Sequence, residues 1–161
     1  MRNIAVIGLL VSGGFALEYV CAELFGGWFC PNLLIIVVVF FNLFRGIRQS
    51  LVAAFFAGLL RDSFGPQLFG LHIFVFMLCA YLTTFVKMYI YHSASRESRI
   101  LLVCVMTFLY VMIQSLVRII FVDVDFGQVI RIVLLPELIS TALVSGYAFA
   151  QLRKCALRLF A

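Results

Sequence analysis

Long apolar runs separated by short polar turns make up the whole chain. Six runs stand out: Ile4–Val20, Cys30–Phe44, Leu51–Leu60, Leu68–Tyr89, Ile100–Val122 and Ile130–Leu152. A helix needs about 20 apolar residues to cross a bilayer, with a range of about 17–25. The first, fourth, fifth and sixth runs reach that length, and the second does so if it starts near Trp28. The third is short, because ten residues rise only about 15 Å. Extended back through Ile47, it can still cross along a locally thinned or protein-shielded path. The pattern predicts an all-α integral membrane protein, a bundle of six transmembrane helices. The first run lacks a convincing small-residue cleavage pattern and is followed by further spans, so it reads as a retained helix rather than a signal peptide.

Basic residues set the orientation. With six spans and both termini inside, the inner segments hold Arg2, Arg45, Arg48, Lys87, Arg96, Arg99, Arg153, Lys154 and Arg158, nine of the twelve Lys and Arg residues. The outer side receives Glu18, Glu23, Asp62, Asp123 and Asp125. If Leu51–Leu60 did not cross, the cluster from Lys87 to Arg99 and the C-terminal cluster would change sides. The positive-inside rule therefore favours six spans with both ends in the cytoplasm.

Composition agrees. The chain is 65% hydrophobic and 12% charged, whereas soluble domains carry about 45–50% apolar and about 25% charged residues. No linker or polar stretch is long enough to form a second domain, so residues 1–161 read as one multi-pass membrane domain. The net charge of +5 comes from basic residues placed singly at the ends of apolar runs. They mark orientation among membrane lipids and not a nucleic-acid surface. Five cysteines form no C-x-x-C pair and have no nearby His at metal spacing. No metal or cofactor is expected. Cys21 and Cys30 fall beside one outward loop, which leaves a disulfide open to them.

Small residues four apart form ridges that allow close helix approach. Gly8, Ser12 and Ala16 do so in the first run, Ala54 and Gly58 in the third, and Ala142, Gly146 and Ala150 in the last. They either pack the bundle or form a seam for another membrane protein. Polar chemistry concentrates between Val52 and Phe74. Asp62 either caps the turn at Ser63–Pro66 or meets His72 across it, in a network closing the third and fourth spans. His72 is either a structural donor or a titrating group. Arg118 lies deep in the fifth run, and Arg131 stands six residues before a membrane carboxylate, Glu137, that follows Pro136. That arrangement fits a buried ion pair or a proton or cation site. There is no H-E-x-x-H, no G-x-S-x-G and no phosphate-binding glycine loop, and no nucleophile–base pair stands out. Catalysis is not expected.

One stretch resembles a known family. Pro31-Asn32 opens the second run, and Phe44-Arg45-Gly46 makes a small basic turn. Gly58-Leu59-Leu60, Asp62, Gly65 and Gly70-Leu71-His72 then follow in order. This layout is similar to the rod shape-determining protein MreD family. Two departures are visible: Arg61 stands where an apolar residue is usual, and Gly65-Pro66-Gln67 replaces a Ser-Gly-x-Pro turn. The resemblance implies a non-enzymatic subunit of the bacterial cell-wall elongation machinery in the inner membrane. Its partners would be a single-span MreC-like protein and, further out, MreB filaments, a RodA-type glycosyltransferase and its penicillin-binding partner. It also implies a fold similar to the substrate-binding subunits of energy-coupling-factor vitamin transporters. Such a subunit is the rival function, since it would need an outward pocket lined by polar and aromatic residues.

Overall fold

The structure, a computed structural model, describes residues 2–25, 31–64, 69–90, 96–122 and 135–160. The described residues form six helices: α1 (Arg2–Phe25), α2 (Leu33–Arg45), α3 (Ile47–Phe64), α4 (Leu71–Ile90), α5 (Arg96–Val122) and α6 (Leu135–Phe160). Three contain apolar stretches long enough to cross a membrane, at Ile4–Phe25, Leu71–Met88 and Glu97–Val117. The third run does extend back to Ile47, giving α3 18 residues.

The second run does not start near Trp28. Its helix begins at Leu33, because the Asn32 side chain accepts the backbone N–H of Ile35 at 3.2 Å and so caps the first turn. The resulting 13 residues rise only about 20 Å, less than the roughly 30 Å of a bilayer core.

This short helix is the hub of the bundle. Leu34 through Asn42 are all buried, and α2 packs against each of the other five helices. Around it α1 adjoins α3, α3 adjoins α4, α4 adjoins α5, and α5 adjoins α6. The core collects Phe40 and Phe41 of α2, Phe76 of α4, and Met106 and Tyr110 of α5.

Two glycines make the reversals. Gly46 is the single residue between α2 and α3 and has φ +87°, while Gly70 precedes α4 with φ +99°. A side chain at either φ would be strained. Pro136 lies in the first turn of α6, where its missing N–H leaves no helical hydrogen bond unmade.

Candidate functional site

Polar side chains gather at the end of the bundle where α1 and α3 finish and α2, α4 and α6 begin. The junction of α3 and α4 is the most completely bonded part. Asp62, buried in the last turn of α3, accepts three backbone N–H groups: Gly70 at 2.9 Å, His72 at 3.1 Å and Ile73 at 3.2 Å. These include donors of the first turn of α4, which have no partner inside their own helix. A carboxylate there also meets the positive end of the helix dipole. The same carboxylate meets His72 Nδ1 at 2.8 Å. An ionised carboxylate only accepts, so Nδ1 carries the proton and donates. Asp62 therefore meets His72 across the turn, one of the two arrangements expected.

Gly58 shapes this junction from the packing side. A Cβ there would collide with the Cα of Ile73 and lie 2.6 Å from its nitrogen. The backbones of α3 and α4 thus touch at Gly58, and Ala54, one turn earlier, is fully buried. This ridge is part of the interior of the bundle.

A second junction joins α2 to α6. Asn32 donates from its side chain to Glu137 Oε1 at 2.8 Å and from its backbone to Thr141 Oγ1 at 2.9 Å. With its cap on Ile35, Asn32 fixes the start of α2 against the start of α6. Pro31 beside it is buried.

The third junction could not be foreseen from spacing. Arg61 donates to Glu18 Oε1 at 2.6 Å, joining α3 to α1 across 43 residues of sequence. Its guanidinium also lies 5.5 Å from the ring centre of Tyr110 on α5, a cation–π distance. Gln114 donates to the Tyr110 hydroxyl at 3.0 Å. Glu18 Oε2 and Arg61 Nη1 are buried with no hydrogen-bond partner.

The opposite end of the bundle has its own ties. Asn42 donates to the Ala80 carbonyl at 2.8 Å and to Thr84 Oγ1 at 3.0 Å. Ser50 donates to the Val38 carbonyl at 2.9 Å. Lys87 reaches the Leu43 carbonyl at 3.3 Å, at the C-terminal end of α2, where a cation is favoured.

The other two ridges differ in exposure. Ser12 and Ala16 are exposed, and a Cβ on Gly8 would meet nothing within 4 Å. Ala142 and Gly146 are half-buried and Ala150 is exposed. Gly65, Arg131 and Cys30 lie outside the described residues, and so does the side chain of Arg118. Cys21 is a free thiol. Among the described residues, no three His, Cys, Asp or Glu side chains are placed to hold a metal ion. The polar groups serve mainly as partners for one another and for helix ends.

The order of these features is matched by one family, described as rod shape-determining protein MreD, over residues 3–154. The chain belongs to that family. It is therefore a membrane component of the machinery that determines cell shape. No curated protein and no solved structure matches the chain. The Pro-Asn, Gly-Leu-Leu, Asp and Gly-Leu-His elements that carry the likeness occupy the first two junctions. Asn32 ties α2 to α6, Gly58 lets α3 meet α4, and Asp62 with His72 closes that hairpin.

Proposed function

We propose that this protein is a non-enzymatic scaffold subunit of the peptidoglycan elongation machinery in the bacterial inner membrane. It spans the membrane six times with both termini in the cytoplasm and binds a single-span MreC-like protein. Through that partner it joins cytoplasmic MreB filaments to a RodA-type glycosyltransferase and its penicillin-binding partner. The observation that carries this reading is family membership over nearly the whole chain. The polar side chains support it, because those at the family-like positions bond helix to helix.

The open ridge of Gly8, Ser12 and Ala16 offers a face where a partner's backbone can come close. Copurification from detergent with the MreC-like protein tests the proposal. Wild type should retain the partner, and Gly8→Leu, whose Cβ would meet no atom of its own chain within 4 Å, should fold and release it. Recovery of a transporter ATPase module and a bound vitamin in place of that partner would replace the scaffold with the rival reading.

A further inference from the structure

The first helix is attached differently from the rest. It packs chiefly on α2 and α3, and its fully buried apolar side chains are Ile7 and Val11. Leu9, Leu17, Tyr19 and Leu24 are exposed, and a Cβ on Gly8 or Gly13 would meet nothing within 4 Å. Besides these, Phe15 stacks on Phe64 at 5.3 Å, and Gly14 lies close against Val37 of the hub.

Lipid tails are as apolar as leucine, so no hydrophobic drive buries those side chains against protein, and close packing and polar bonds have to hold them there. The polar tie that fixes α1 in one place is the Glu18 carboxylate, which pairs with Arg61 of α3 and faces the first backbone N–H groups of α2 at Leu33 and Leu34. Within that pair one carboxylate oxygen and one guanidinium nitrogen are buried without a well-aligned hydrogen bond. Desolvating a polar atom without giving it a partner is unfavourable, so the docked position is held by a bond that also carries a penalty. Arg61 would not be stranded if Glu18 left. The Tyr110 ring stays beneath it, and Glu137 remains within electrostatic reach.

We propose that α1 is a strap, which leaves and rejoins the body formed by α2–α6 as a unit, and that the Glu18–Arg61 pair is its latch. Opening uncovers the buried face of α2 around Val37 and frees the bonding capacity of Arg61. This device does not depend on which partner the protein binds.

Pulsed electron–electron distance measurement on the full chain in lipid nanodiscs tests it, with the five native cysteines replaced by alanine. One label goes at Ser12→Cys on α1 and the other at Leu101→Cys on α5, both exposed positions. A control pair within the body uses Tyr81→Cys and Leu143→Cys, also exposed. The strap predicts a short and a long component in the otherwise wild-type chain. Glu18→Gln should raise the long-to-short ratio about tenfold or more while the control pair stays put. A single component in the wild-type background would overturn the proposal whether or not the variant accumulates. An unchanged ratio in Glu18→Gln would also overturn it, and so would a shift of the control pair, which would assign the ion pair to the bundle as a whole.

Discussion

At the scale of single residues, the polar side chains at the family-like positions act on helix ends. Asp62 is the clearest case, since one carboxylate receives three amides and a histidine. Removing one partner of a buried, bonded charge typically costs about 3–5 kcal/mol. Asp62→Ala should lower thermal stability in detergent by that order, read as loss of monodisperse protein on heating. Asp62→Asn should cost less, because an amide oxygen still accepts part of the set. A melting temperature unchanged in both would remove Asp62 from the structural role. Gly58 gives an independent test. Gly58→Ala should destabilise by at least the roughly 1–3 kcal/mol typical of overpacking, since the obstacle is the backbone of Ile73 and not a movable side chain. Wild-type stability in Gly58→Ala would show that α3 and α4 stand further apart than described.

At the scale of elements, α2 depends on both its ends being held. Asn32 caps its N-terminus while bonding Glu137 and Thr141 of α6, and Lys87 meets its last carbonyls. Asn32→Ala removes the cap, worth about 0.5–2 kcal/mol, and leaves Glu137 without that donor. Asn32→Asp keeps the cap but sets a second carboxylate against Glu137. Both should therefore be less stable than wild type, and Asn32→Asp should be the worse of the two. The reverse order would show that capping matters more here than the contact with Glu137. The length of the apolar runs makes the helices themselves legible. The start of α2 differs from the apolar run because hydropathy continues smoothly from Cys30, whereas capping by Asn32 depends on backbone geometry that composition does not display.

At the scale of the whole molecule, basic residues gather near one end of the bundle and carboxylates near the other. Arg45, Arg48 and Lys87 lie at or near the α2–α3 turn and the C-terminal end of α4, with Lys154 late in α6. Glu18, Asp62 and Glu137 lie at the opposite end. The proposed orientation, with the α2–α3 turn in the cytoplasm, follows the positive-inside rule. In intact cells, Ser95→Cys in a cysteine-free background should resist an impermeant maleimide and label only after permeabilisation. Labelling from outside would reverse the six-span arrangement.

The amino-acid sequence determined, by itself, that this chain is helical, membrane-embedded and similar to one family, because span length, charge asymmetry and turn glycines are local signals. It also set Asp62 and His72 on either side of one turn, close enough in sequence to suggest contact. Only the tertiary structure decided that the shortest helix is the hub, that Glu18 meets Arg61, and that Asn32 meets Glu137 across 105 residues. It alone separated the buried ridge of Ala54 and Gly58 from the open one of Gly8, Ser12 and Ala16. The physical reason lies in the solvent. In water, burial selects apolar residues and exposure selects polar ones, so a sequence reveals its inner face. In lipid both faces are apolar, and the partner of each helix is set by shape and by a few long-range polar bonds.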